Sequence, residues 1–529
     1  MANSYVTIPT DSPYFERRWL GLVFVGISVI VISLDNTIVN VALPSIAREL
    51  NASTTDLQWM VDGYVLVFAA LLLTMGTLGD RIGRKRALQT GLVLFGVGSL
   101  AAAVAPNIGV LTGARAFLGL AGALMLPATL STISATFPPV ERPQAIASWA
   151  SLFGLGVGIG PVLGGFLVQN FGWHSVFLVN IPVIAVAVIG GQIYLGETKE
   201  PNAPPPDLVG SVLSIIGLVA LVYGIIEAGV VGWTEPNVVL ALVAAVVILA
   251  LFAVWESRIP NPMLPLHFFR NPAFTGANVT LTLLTFGLFG AVFFIPQFLQ
   301  SVIGYPAFLA GIMIVPLAAS LTVASNQSAR ITNRLGTKRT VVLGILVGAT
   351  SFLFQSIVYS TSTTYFPWVL LAQIFQAGGI GLAISPATTA IMSSIPVTKA
   401  GVGSAMNDTT RQLGGALGIA VLGAVATTIY LNGVAPLASS LTPEAFAEVS
   451  AGLQTAISPH TLSLMDPALA DQVVLTAKTS FMDGMKRAFF VASLVMYLSA
   501  AFAWFVLPDV IKRQQPAAMP EAASSEPTA

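Results

Sequence analysis

Gly76-Thr77-Leu78-Gly79-Asp80-Arg81-Ile82-Gly83-Arg84-Lys85-Arg86 is a charged hinge between two apolar runs, 57–79 and 87–105. Its glycines permit a sharp reversal. Each flanking run has the ~20 apolar residues that a membrane-spanning helix needs. The pattern Asp80-Arg81-Ile82-Gly83-Arg84-Lys85-Arg86 returns as Asn333-Arg334-Leu335-Gly336-Thr337-Lys338-Arg339. A second echo, Leu126-Pro127-Ala128-Thr129 and Ser385-Pro386-Ala387-Thr388, has nearly the same separation. Two echoes at one spacing point to a duplicated unit.

The rest of the chain fits a membrane environment. Of 529 residues, 55% are hydrophobic and 9% charged, against about 25% charged in soluble domains. Candidate spans fall near 19–43, 57–79, 87–105, 109–133, 144–168, 174–195, 209–228, 237–255, 274–298, 307–328, 338–359, 365–391, 403–430 and 487–507. They are long and lack strand-type alternation, which favours helices over a membrane barrel. The expected fold is an all-α integral membrane protein of fourteen spans: two six-helix bundles with two helices inserted between them. The domains predicted are 1–200, 201–260 and 261–510, with a long external loop at 431–485 and a disordered cytoplasmic tail at 511–529.

Charge sets the orientation. Seventeen of the 23 Lys and Arg fall on the side of the N-terminus, four on the other, and Arg115 and Arg411 lie within spans. The positive-inside rule then places both termini in the cytoplasm, in the cytoplasmic cell membrane. Absence of cysteine excludes thiol chemistry, and His174, His267 and His460 lie too far apart in sequence to suggest a metal centre. Zero net charge gives no bulk attraction to nucleic acid. No phosphate-cradling loop or catalytic triad appears, so an enzyme or ATP-driven pump is not expected.

Four stretches carry a resemblance. They are Leu34-Asp35-Asn36-Thr37-Ile38-Val39-Asn40-Val41-Ala42-Leu43-Pro44, the Gly76–Lys85 hinge, Arg115 with Gly119, and Gly156-Val157-Gly158-Ile159-Gly160-Pro161-Val162-Leu163-Gly164-Gly165. In this order, on these spans, they resemble the fourteen-helix drug/proton antiporters of the major facilitator superfamily. The resemblance implies a gating latch at Asp80, Arg84 and Lys85, although the hinge also reads as a plain positive-inside anchor. It implies antiport rather than symport from the Gly160-Pro161 region, although small residues also serve ordinary close packing. One departure is Leu118, where the family motif usually has Gln.

Charges within spans are costly and therefore informative. Counting from Pro44 as the external end, Asp35 lies roughly 13 Å deep, and Asp62 and Arg115 roughly 8–9 Å. Asp35 is the expected proton-coupling acid, with Arg115 tuning it; a static pair orienting two helices is the plainer reading. Asp62, within Trp59-Met60-Val61-Asp62-Gly63-Tyr64, resembles the segment of quaternary ammonium and dye exporters. A carboxylate between Trp59 and Tyr64 suits a lipophilic cation. Asp408, three residues from Arg411, can pair with it locally or bind substrate or proton near Asp62. Phe293 and Gln297 are candidate lining of an apolar substrate cavity, or lipid contacts.

These readings give a monomeric antiporter that exports lipophilic, cationic drugs or dyes, driven by the proton motive force without a cofactor. Its partners are organic cations, protons and membrane lipids. Export of an endogenous metabolite, lipid or antibiotic is the nearest alternative. An importer or a membrane sensor is further away.

Overall fold

The computed structural model describes residues 12–138, 140–200, 205–395 and 400–508. The tail expected at 511–529 lies outside the described residues. Fourteen described helices are long and apolar enough to cross a membrane: α1 Arg18–Glu49, α2 Thr54–Ile82, α3 Arg84–Ala103, α4 Ile108–Thr136, α5 Gln144–Phe171, α6 Ser175–Tyr194, α7 Leu208–Val231, α8 Pro236–Arg258, α9 Pro272–Val302, α10 Ala307–Leu335, α11 Thr337–Val358, α12 Tyr365–Ser393, α13 Ala405–Ser439 and α14 Pro467–Val506. The protein is a multi-pass membrane protein.

Local signals start and stop these helices. Ser53 and Asp56 form a reciprocal capping box at α2. Asn107, Asp207 and Asn271 accept backbone N–H bonds at the starts of α4, α7 and α9. The α2–α3 reversal is made at Gly83, whose φ of 118° belongs to the glycine region. Gly336, at φ 85°, makes the same reversal between α10 and α11.

In the first half α1 packs on α5 and α6, and α4 on α2 and α3. The second half repeats this, with α9 against α13 and α14, and α12 against α10 and α11. The halves meet along α2–α13 and α5–α10. The inserted α7 lies over the α2–α13 seam, and α8 packs on α7. A side chain at Gly156, Gly160 or Gly164 would collide with Ser33, Thr37 or Ile38 of α1, and one at Gly165 with Ala307 and Phe308 of α10. The small-residue run thus lets α5 approach both partners.

Two sequence boundaries need correction. Pro44 does not end α1, because the helix continues to Glu49 and places Asp35 in the middle of 32 residues; the depth counted from Pro44 was too shallow. The 431–485 region is largely helical, with α14 starting at Pro467. Asp471, Lys478, Asp483 and Lys486 mask its first turns from a hydropathy reading, but charge does not prevent helix formation outside lipid. Between them, Pro443–Ala451 is capped by Thr442, and Leu453–Ala456 and Pro459–Ser463 follow.

Candidate functional site

Five helices of the first half build one buried polar network. Arg115 on α4 donates through Nη1 to Asp35 Oδ2 on α1, with 1% and 0% side-chain exposure. Asn180 Nδ2 on α6 lies 3.4 Å from Asp35 Oδ1 and 3.2 Å from Ser99 Oγ on α3, donating to both. The Arg115 guanidinium sits 4.3 Å from the Tyr64 ring centroid on α2. Asn36 Nδ2 donates to the Tyr64 hydroxyl at 3.4 Å. Gly119 permits this closeness, since a Cβ there would meet the Tyr64 carbonyl. Tyr64 therefore belongs to the Asp35–Arg115 cluster and does not flank Asp62. Its position two residues past Asp62 turns it to another face of α2.

Asp62 is fully buried, and neither carboxylate oxygen has a hydrogen-bond partner among the described residues. One turn earlier, Gln58 Nε2 on α2 donates to the carbonyl of Ile419 on α13 at 3.1 Å. Trp59 lies against Tyr223 of α7, centroids 6.3 Å apart. Asp62 thus faces the seam of α2, α13 and α7. Asp408 lies at a different depth on the same seam. It is eleven residues before Ile419 on α13, about 16 Å along the helix. The Asp408–Arg411 pair does not form among the described ion pairs. Asn407 Nδ2 instead donates to Asp408 Oδ1 at 3.4 Å.

Asp408 lines a cavity of about 1170 Å³, together with Asp80, Arg84, Leu126, Pro127, Ser131, Arg142 and Glu256. The cavity lies at the face bearing the start of α1 and the α2–α3 turn, the basic face. At the opposite face the halves are joined. Gln300 Nε2 donates to the Val41 carbonyl at 2.9 Å, and Gln169 Oε1 accepts from the Phe308 N–H at 3.2 Å. Phe293 and Gln297 are fully buried at that closed end and do not line this cavity. Gln297 Oε1 accepts from Gln454 Nε2 of the 443–463 segment at 2.9 Å.

The hinge side chains stay within their own half. Arg84 Nε donates to Asp80 Oδ1 at 2.8 Å, and Lys85 Nζ donates to the Gln192 carbonyl at 2.9 Å. The latch that the resemblance implies is thus not engaged across the two halves here. With the basic face open, the nearest acceptors of Arg84 and Lys85 are local. Nearby, Arg18 grips Glu141 through both oxygens at 2.8 Å, holding that carboxyl below the usual carboxylate range.

Residues 25–419 match the family model described as Major Facilitator Superfamily. The chain belongs to the major facilitator superfamily. This facilitator is 32% identical to the tetracenomycin C resistance and export protein of Streptomyces glaucescens, over 96% of this chain and 95% of that protein. It is 34% identical to the multidrug efflux pump LfrA of Mycolicibacterium smegmatis, over 93% and 97%. A bacterial homologue of the human lysosomal transporter Spinster, solved in an inward-facing and unoccupied conformation, shares the fold. Its TM-score is 0.65 at 16% identity, covering 94% of this chain and 97% of that one. The protein is a transporter rather than an enzyme.

In this facilitator the sequence reading missed Asn180, Ser99 and Asn36, which complete the Asp35 network. Single Asn and Ser residues in apolar spans carry little signal, because each also reads as a small polar packing residue. It also missed Glu256 and Asp207. Both sit at span ends, where a charge is ordinary.

Proposed function

We propose that the protein is a monomeric proton-coupled exporter of lipophilic cationic drugs or dyes, with its basic face in the cytoplasm. The observation that carries the reading is Asp62: a carboxylate at 0% exposure, inside a span, with both oxygens unpartnered among the described residues. An unpaired acid in that setting is costly, and a positive charge, as proton or as organic cation, relieves the cost. The export, resistance and efflux roles of the two relatives support efflux of drug-like molecules. Asp35 is the proposed proton-coupling acid. It has a permanent cation beside it in Arg115. The two bundles rock against each other, and the cavity at the basic face receives substrate. The hinge around Asp80, Arg84 and Lys85, and the Gly160-Pro161 contact with α1 and α10, are the proposed gating elements.

The test is ethidium efflux from cells expressing the protein, with and without a protonophore. The proposal expects outward transport that the protonophore abolishes. Equal dye accumulation in expressing and non-expressing cells contradicts export, and protonophore-insensitive efflux contradicts coupling. A second reading, export of an antibiotic made by the cell itself, is favoured by the tetracenomycin relative. It predicts protection against one antibiotic without dye transport.

A further inference from the structure

Glutamine side chains join the two halves at the face opposite the cavity, and each of them reaches backbone. Gln58 on α2 donates to the Ile419 carbonyl of α13 at 3.1 Å. Gln300 on α9 donates to the Val41 carbonyl of α1 at 2.9 Å. Gln169 on α5 accepts from the Phe308 N–H of α10 at 3.2 Å. That N–H lies in the first turn of α10, where a helix leaves donors unpaired, and the cap residue Pro306 makes no side-chain bond there. The described ion pairs, by contrast, each join residues of the first half.

Gln58 is the most enclosed of the three, and it has a seat. A Cβ added at Gly423 would lie 2.0 Å from Gln58 Nε2 and 2.5 Å from its Cδ. Gly423 follows Ile419 by one helical turn on the same face, so its missing side chain leaves the Ile419 carbonyl open to the amide. Asp62 lies one turn further into α2, on the same face as Gln58. Because α2 starts at the closed face, Gln58 stands between Asp62 and that face.

We propose that Gln58, seated in the Gly423 notch, is the exit gate for a cation held at Asp62, and that Gln300 and Gln169 hold the same face shut at the other seams. This inference rests on the rocking of the two bundles read above. Amide-to-backbone bonds suit such a gate, because water replaces each one when the seam parts and the net cost of opening is small. An apolar side chain at this place would fill the notch by packing alone. The glutamine adds a bond that opening exchanges for water.

The experiment measures the width of the closed face. The chain has no cysteine, so Val104→Cys and Ile357→Cys, both exposed at the outer ends of α3 and α11, take spin labels without competition. Dipolar electron resonance on the purified full chain then reads the distance between the halves. Wild type is expected to show one dominant short distance. Gln58→Ala raises the population of a longer distance about fivefold, the scale of one hydrogen bond. Gly423→Ala does the same, because its Cβ expels the amide, and the two changes together add nothing further. Gln300→Ala and Gln169→Ala have smaller effects, since their bonds are less buried. Gln58→Glu separates the bond from packing. The protonated acid donates as the amide does, so this face is closed in acid buffer and widens in alkaline buffer, beyond any change that Gln58→Ala shows. Unchanged distances in folded Gln58→Ala and Gly423→Ala overturn the gate. A Gln58→Glu variant no more sensitive to pH than Gln58→Ala overturns it too. Ethidium efflux, measured separately, decides the export reading, which stands if the gate alone fails.

Discussion

The two halves share one packing scheme and differ in what they bury at its centre. In the first, α1 and α4 meet through Asp35 and Arg115, with Asn180, Ser99 and Tyr64 around them. In the second, α11 and α12 meet through amides: Gln355 Nε2 donates to Gln376 Oε1 at 2.8 Å, both residues fully buried. The α9 and α12 helices carry no acidic or basic residue. The turns repeat the contrast. Gly83 and Gly336 adopt the same positive-φ conformation, yet the Asp80–Arg84 pair of the first has Asn333 and Thr337 in the second. A duplicated scaffold can therefore keep its geometry with a neutral core. The charges in the first half are not needed to hold such a bundle, and buried ion pairs are weak evidence for stability in any case. This makes them the candidates for function.

The comparison breaks most visibly at Asp35. Asp35→Asn keeps an acceptor for Arg115 and removes the carboxylate. Energised efflux is expected to fall by roughly a hundredfold or more, in line with loss of a proton-transfer group, while detergent-extracted protein stays folded. Arg115→Ala is the harsher change, because it strands a buried carboxylate, at a stability cost of about 3–5 kcal/mol. Thermal unfolding of the two variants separates loss of coupling from loss of fold.

Next comes Asp62→Asn. Efflux of permanently charged dyes should drop about tenfold, the scale of one lost ion contact, while matched neutral substrates are unaffected. Equal loss for both classes would move Asp62 into the proton path. In the second half, Gln376→Leu removes the 2.8 Å bond of the Gln355 amide, which keeps the longer contact to the Ser351 carbonyl at 3.3 Å. It should cost about 1–3 kcal/mol of stability without changing the number of protons exchanged per substrate. The smallest effect belongs to the hinge. Arg84→Ala with Lys85→Ala should slow transport a few-fold while equilibrium dye affinity stays put, since these side chains bond within their own half at the basic face.

Much of this was legible in the sequence. Fourteen spans follow from hydropathy, and the repeat from the 80–86 and 333–339 echo. Asp35, Asp62 and Arg115 stand out because a charge in an apolar run has few neutral explanations. Partnership was harder to read. Tyr64 was placed beside Asp62 by sequence proximity, yet helical phase turns it toward Arg115. Asp62 and Asp408 share a seam but not a depth, because α2 and α13 run in opposite directions along it and both acids lie near their own helix starts. Phe293 and Gln297 were read as cavity lining, and the closed opposite face buries them. Conformation decides such contacts, and no single residue type encodes it.

The central claim is that proton coupling resides in the first half's charged network. The most direct measurement is proton release from purified protein in weak buffer upon addition of tetraphenylphosphonium, for wild type, Asp35→Asn and Gln376→Leu. The account predicts release from wild type and from Gln376→Leu, and none from Asp35→Asn that still binds the cation. Undiminished release from Asp35→Asn, or its loss in Gln376→Leu alone, would contradict it.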